Sequence, residues 1–268
     1  MQKKEFIIIP KQKELELYEK YNFNTFILPL KDYSIGFDIY YDIDEINEYS
    51  NKYNVYVIMN KFLHMNIYKF KKIYKKFNNN IKFIVEDIGL SQIIDKDRIV
   101  LYENHIISNY IAINYLKDSG YNNIVINNDL TITEIKEILN KTNSNLFYFY
   151  VSKNHLMYSR RNLVTNYNKN YNLKDVTTYK IIEEVSKKEL DLYEEKDGTV
   201  VTFDKIYCAS KYLNDLSNMK LIINLSKIDD ISEKMILENY DNESLCNLID
   251  SDYYFLENDI KYKVGDIK

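Results

Sequence analysis

The sequence predicts an α/β protein: a (β/α)8 barrel with a small β-rich insertion between its seventh and eighth strands. Three observations lead there. Short β-branched and aromatic runs alternate with amphipathic stretches, the signature of βα units around a parallel sheet. About eight of those runs read as parallel strands, the number that closes a barrel. The alternation breaks once, between residues 153 and 219, where runs of antiparallel character surround an Asp-Gly turn. The 268 residues are therefore read as one barrel domain, 1–268, carrying an insertion over 153–219 at the barrel mouth. An open, doubly wound sheet is the rival architecture, because periodicity does not show closure.

The elements follow in order. Phe6–Ile9 reads as the first strand and Lys13–Tyr21 as a helix; Thr25–Leu30 is the second strand. Asp42–Tyr53 is a helix opened by Asp42 with Glu45 three residues on, a capping-box spacing. Asn54–Met59 is the third strand, Ile67–Phe77 a helix, Lys82–Val85 the fourth strand and Leu90–Asp95 a short helix. Arg98–Tyr102 is the fifth strand, and the helix Asn109–Ser119 ends at Gly120, which suits a left-handed C′ position. Asn123–Ile126 is the sixth strand, Thr131–Thr142 a helix with Thr131 and Glu134 at capping-box spacing, and Leu146–Val151 the seventh strand. In the insertion, Thr178–Val185, Leu190–Glu195 and Thr199–Phe203 are antiparallel strands, the last two joined at Lys196-Asp197-Gly198. A helix over Ile206–Leu216, an eighth parallel strand over Lys220–Leu225 and a helix over Ser232–Tyr240 complete the pattern.

Composition narrows the function classes. With 46% hydrophobic residues the chain can bury a sizeable core. No apolar run is long enough for a bilayer, and Phe6–Ile9 is too short for a signal peptide. A net charge of −4 gives no global basic field for nucleic acid, though it allows a local basic patch. The two cysteines, Cys208 and Cys246, read as reduced thiols of a cytoplasmic protein.

One stretch carries a resemblance. Val151-Ser152-Lys153-Asn154-His155-Leu156-Met157-Tyr158-Ser159-Arg160-Arg161-Asn162-Leu163 is followed by Asn166-Tyr167, by Tyr179–Val185, by the hairpin Glu194–Thr199 and by Cys208. This order resembles the peptidase U32 family, the collagenase-like peptidases, whose short members carry a strand, a Met-x-Ser-Arg-Arg-like turn, a Tyr and a hairpin ending in Glu-x-x-Gly-Thr. Upstream, Ser108-Asn109, Asn114 and Leu130–Ile138 resemble it too. The resemblance implies a (β/α) barrel, with Asn109, Met157, Tyr167, Glu194, Gly198, Thr199 and Cys208 as motif residues. It also implies either a peptidase or a part in oxygen-independent hydroxylation of tRNA uridine, ribosomal RNA or quinone precursors. Hydroxylase-type members hold an iron–sulfur cluster on four cysteines. Here only Cys208 stands where a family cysteine is expected, and Lys153 and Leu156 replace the family's Gly and Pro. The implied role is a cluster-less subunit or accessory protein beside a cysteine-rich paralogue of the same family, with RNA as a partner and no membrane.

The residues themselves supply further candidates. Ser159-Arg160-Arg161 follow the seventh strand, where barrels often bind phosphate, and two adjacent guanidiniums suit an anion. The alternative is that the pair ties the insertion to the barrel through Glu183, Glu184 or Glu194. Glu86 and Asp87 end the fourth strand and are candidate catalytic carboxylates, as is His155 among the bases; the alternative for Asp87 is a cap on the turn before Gly89. His64, His105 and His155 each fall just past a strand and form a possible zinc set, but no pair has a ligating spacing, so no metal or other cofactor is expected on this chain. Lys69, Lys71, Lys72, Lys75 and Lys76 are interleaved with aromatics; the apolar partners have core spacing, leaving the lysines as a solvated face able to attract phosphate. No Gly-x-Ser-x-Gly, His-Glu-x-x-His or Gly-rich phosphate loop occurs. A metal-dependent peptidase and a catalytically silent interaction scaffold are the other readings.

Overall fold

The computed structural model describes residues 4–64, 67–103, 107–184 and 187–257. Eight parallel strands form its centre: β1 (Glu5–Ile9), β2 (Thr25–Pro29), β3 (Asn54–Met59), β4 (Lys82–Val85), β5 (Ile99–Leu101), β6 (Asn123–Val125), β7 (Asn145–Ser152) and, after an insertion, β13 (Lys220–Asn224). Each pairs with the next, and β13 pairs with both β1 and β7, so the sheet closes on itself. The open-sheet alternative is excluded.

Alternation along the strands builds two apolar layers. Ile7, Ile9, Ile27, Ile58, Ile84, Val100, Val125, Phe147 and Ile222 fill the barrel interior. Their neighbours, such as Ile8, Leu28, Val57 and Phe83, face the outer helices. A closed parallel barrel buries both faces of every strand, which is why these runs read as nearly continuous hydrophobic sequence. The outer helices are α1 (Glu16–Glu19), α2 (Ile43–Ser50), α3 (Ile67–Tyr74), α4 (Tyr110–Asp118), α5 (Ile132–Lys141) and α7 (Asp230–Asn239). The capping boxes expected at Asp42/Glu45 and Thr131/Glu134 both form, and Asn109 caps α4. Two elements are smaller than expected: α1 keeps a single turn, and two short 3-10 turns, Ile88–Gln92 and Lys96–Arg98, follow β4 in place of a helix.

Between β7 and β13 the chain builds a second sheet of four antiparallel strands, in the order β8 (His155–Ser159), β11 (Gly198–Phe203), β10 (Glu189–Glu195), β9 (Thr178–Ile182), with helix α6 (Leu163–Tyr171) packed on it. The Asp197-Gly198 hairpin forms as expected. Strand β8 runs into the stretch expected to be a turn, and helix α6 lies where no element was expected. The reason is visible in the cap. Asn162 makes no side-chain cap of its own; instead Glu194, thirty residues on, accepts from the Val164 and Thr165 N–H groups at 2.8 and 3.1 Å. A helix whose N-terminus is satisfied from a distant strand carries no local start signal.

The helix expected over Ile206–Leu216 is also corrected. Ile206–Cys208 is strand β12, antiparallel to β7 and parallel to β14 (Ser251–Asp252), followed only by a 3-10 turn at Ser210–Tyr212. All three residues of β12 are buried against the barrel wall, and the pairing supplies the backbone partners that a helix would otherwise provide. This strand brings Cys208 to Cys246, whose Cα atoms are 5.6 Å apart, and the two form a disulfide. The expectation of reduced thiols is thereby overturned. Alkylation of the denatured protein without reductant is expected to modify no cysteine, and with reductant both; two free thiols before reduction would contradict the bridge. Among the described residues, no helix is long and apolar enough to cross a membrane.

Candidate functional site

The C-terminal ends of the barrel strands bring Asn60, Ser152 and Asn224 together around a small cavity beside His155 of the small sheet. The insertion is fastened over this mouth by partly buried polar contacts. Glu195 accepts from the Tyr40 hydroxyl at 2.5 Å and from the Gly36 N–H at 3.2 Å. Lys61, nearly buried at the end of β3, pairs with Asp197 of the hairpin turn at 2.7 Å, and Lys153 pairs with Asp191 at 2.8 Å. Lys153 stands where the resembled family has glycine; here its ammonium anchors the small sheet.

His155 lies in this closed part of the mouth, lining a small cavity with Phe37, Asn60, Tyr102 and Asn224. Desolvation pushes its imidazole down to about 4, so it is neutral at physiological pH. A Cβ on Gly36, itself at φ +85°, would stand 2.6 Å from the ring. The imidazole is wedged there, and the histidine trio is not assembled: His64 is exposed in a separate cleft and His105 lies outside the described residues. Among the described residues, no group of three His, Cys, Asp or Glu side chains has metal-holding geometry.

That separate cleft is open, with a volume of about 650 Å³, and lies where β8 ends beside the β3–α3 and β4 loops. Phe62, His64, Ile67 and Tyr158 form its walls, and Ser159, Arg160, Arg161 and Asp87 its polar rim. Asp87 accepts from the N–H of Gly89 at 3.0 Å and from that of Leu63 at 2.8 Å, so its carboxylate caps the turn and holds the Phe62–His64 loop. Arg160 and Arg161 are exposed, and neither has an ion-pair partner among the described residues. Glu194, offered as a tether for them, is the cap of α6 instead.

The motif residues explain the shape of this turn. Gly198, at φ +144°, lets the hairpin press on the Ser159 carbonyl. Thr199 donates to the Arg161 carbonyl at 2.9 Å and accepts from the Leu163 N–H at 3.0 Å. Glu194 and Thr199 thus fix the backbone of the Ser159–Leu163 corner, leaving both guanidiniums turned to solvent. Met157 is exposed on β8, paired with Val201, and Tyr167 is exposed on α6, packed against Tyr171 and Tyr179.

A carboxylate pair lies at the ends of β4 and β5. Burial, with Glu103 second, pushes Glu86 up to about 8; burial, with Asp87 second, pushes Glu103 up to about 7. One Glu103 oxygen is buried without a hydrogen-bond partner among the described residues. Glu86 was legible as a strand-end carboxylate, whereas Glu103 was missed. Its signal was only its place two residues past β5, one register step from Glu86 across parallel strands.

The sequence model of peptidase family U32 matches residues 34–236, about three-quarters of the chain. The chain belongs to peptidase family U32. Two solved structures resemble this U32 chain. The U32 peptidase Mk0906 has 8% identity and a TM-score of 0.48, covering 83% of this chain and 93% of its own. The spore cortex-lytic enzyme SleL of Bacillus megaterium QM B1551 has 10% identity and a TM-score of 0.37, covering 84% of this chain and 71% of its own. No curated protein matches significantly. The four-thiolate cluster that the resemblance raised does not fit this U32 member: it has two cysteines, and they are bonded to each other in the barrel wall.

Proposed function

We propose that this chain is a cluster-less U32 protein that binds RNA at its barrel mouth. It would serve as a subunit or accessory protein in RNA hydroxylation, with tRNA uridine as the target and a cysteine-rich paralogue supplying the redox centre. The observation that carries the reading is the pair Arg160–Arg161, held by Glu194, Gly198 and Thr199 at the rim of an aromatic-walled cleft, with no ion-pair partner among the described residues. Unpaired guanidiniums favour phosphate, and Phe62 and Tyr158 offer faces for a base.

Replacing both arginines by alanine is expected to weaken binding of uridine 5′-monophosphate and of a uridylate oligonucleotide at least tenfold, with the urea midpoint unchanged. Equal binding by the variant would sink the assignment. Pull-down from the native cell is expected to bring a cluster-bearing relative of the family.

One observation favours a hydrolase instead. Glu86 and Glu103 change protonation near neutral pH at the same mouth, as a general acid–base pair would. Gelatin or peptide cleavage that disappears in Glu86→Gln would establish that reading. Absence of both RNA binding and cleavage would leave the scaffold reading.

A further inference from the structure

Helix α3 starts at the cleft: Ile67, its first residue, lines the cleft wall together with His64 and Phe62. Its inner face is fixed by packing, with Phe70 fully buried, Ile73 and Tyr74 packed on the core and Phe77 just beyond the helix end. The opposite face is then set by helical spacing. Tyr68, Lys71, Lys72 and Lys75 fall at i, i+3, i+4 and i+7, a single exposed stripe that spans about 10 Å along the axis. Lys69 and Lys76 flank it, both exposed.

The density of charge along this stripe, five lysines within residues 69–76, sets it apart in the molecule. The chain has an excess of acids, 40 against 36 basic residues. Several lysines elsewhere are answered by carboxylates, as Lys11 is by Asp230, Lys52 by Glu19 and Lys211 by Glu257, whereas others, such as Lys31 and Lys169, stand singly without an ion pair among the described residues. The five lysines of α3 and the turn after it have no ion-pair partner among the described residues. Five uncompensated cations in eight positions repel one another, so the helix is less stable than the same helix with interspersed acids. A polyanion laid along it would relieve that repulsion. Tyr68, 65% exposed between the cleft and the first lysines, adds an aromatic face in the same path.

We propose that the cleft and the outer stripe of α3 form one continuous track for single-stranded RNA. The strand enters between Arg160 and Arg161 and runs down the barrel wall over Tyr68, Lys71, Lys72 and Lys75. This rests on the RNA reading of the cleft and extends it: the mouth takes one nucleotide, and α3 takes the phosphates of its neighbours. Basic grooves interleaved with aromatics bind single strands in this way, with little sequence preference.

The test compares a twelve-residue oligouridylate with uridine 5′-monophosphate over a salt series. Lys71→Gln with Lys72→Gln and Lys75→Gln removes the stripe from an exposed face without touching the core. The triple variant is expected to bind the oligonucleotide at least tenfold more weakly at low salt, with the slope of log K against log salt reduced by about 2, while the mononucleotide binds as before. Arg160→Ala with Arg161→Ala is expected to lose both ligands. Wild-type affinity and slope in the triple variant, with the arginine variant still defective, would overturn the track and leave the cleft reading standing. An equal loss in a control carrying Lys136→Gln and Lys234→Gln, on α5 and α7, would overturn it as a bulk charge effect. Failure of the wild-type protein to bind the oligonucleotide would overturn both readings. Binding of the wild-type stripe to phosphatidylserine vesicles in place of the oligonucleotide would assign α3 to a lipid surface and overturn the RNA track.

Discussion

Glu86→Gln is expected to stabilise the protein at alkaline pH and to flatten its stability between pH 5 and 9. In the fold the Glu86 carboxyl ionises at about 8, because burial and the neighbouring Glu103 disfavour its charge. An unfolded glutamate ionises at about 4.3. Between those values the folded chain holds the proton that the unfolded chain has released, so stability falls as pH rises through the window. Well above pH 8 the full penalty is present, on the order of 5 kcal/mol. Glu103 acts in the same direction over a narrower range. Glutamine has nearly the same shape and no charge, so the variant should lose most of the decline and gain about 2–4 kcal/mol at pH 9. Urea unfolding at pH 5, 7 and 9 measures this. Parallel pH profiles for the two proteins would show that Glu86 is solvated rather than buried. If the carboxylate pair is catalytic, the same substitution removes the neutral limb of the pH–rate profile, which separates a chemical role from a purely structural burden.

Gly198→Ala is expected to be the most damaging single substitution at the arginine turn. Gly198 sits at φ +144°, a conformation L-residues rarely adopt, and an added Cβ would stand 2.2 Å from the Ser159 carbonyl oxygen and 3.0 Å from the Arg160 Cα. Both obstacles are backbone and cannot swing aside. The variant must move either the hairpin or the Ser159–Arg161 turn, at a cost of about 3 kcal/mol or more. Gly120→Ala provides the comparison: φ is +97° there, but the nearest atom is the flexible end of Lys96, and about 1 kcal/mol is expected. Thermal melts of the two variants decide the matter. A Gly198 variant no less stable than the Gly120 variant would mean that the hairpin does not press on the turn. Because the hairpin holds the turn, nucleotide binding should fall with it even where folded protein remains.

These predictions turn on different kinds of information. Glu86 was visible because a carboxylate directly after the apolar run Phe83-Ile84-Val85 sits at a strand's C-terminal end, and parallel strands put that end at the mouth. Its protonation was not visible, since that depends on Glu103 from the next strand and on burial beneath the small sheet. Arg160 and Arg161 were visible as a charged pair after the seventh strand. Their surroundings were not: of the three acids offered as alternative tethers, Glu183, Glu184 and Glu194, the last caps α6 instead. Asp87 shows the opposite outcome, since the local Asp-x-Gly pattern already contained its role as a turn cap.

The sequence by itself determined the eight-strand rhythm, the strand limits at Asn54–Met59 and Lys82–Val85, both capping boxes and the Asp-Gly hairpin. All of these rest on neighbours within a few residues, where propensity, periodicity and capping act. Tertiary structure decided the rest. Closure of the barrel, the strand at Ile206–Cys208, the disulfide from Cys208 to Cys246, the distant cap of α6 and the raised Glu86–Glu103 pair all join residues far apart in the chain. Pairing, burial and charge coupling act through space, and no local pattern records which distant segment will be the partner.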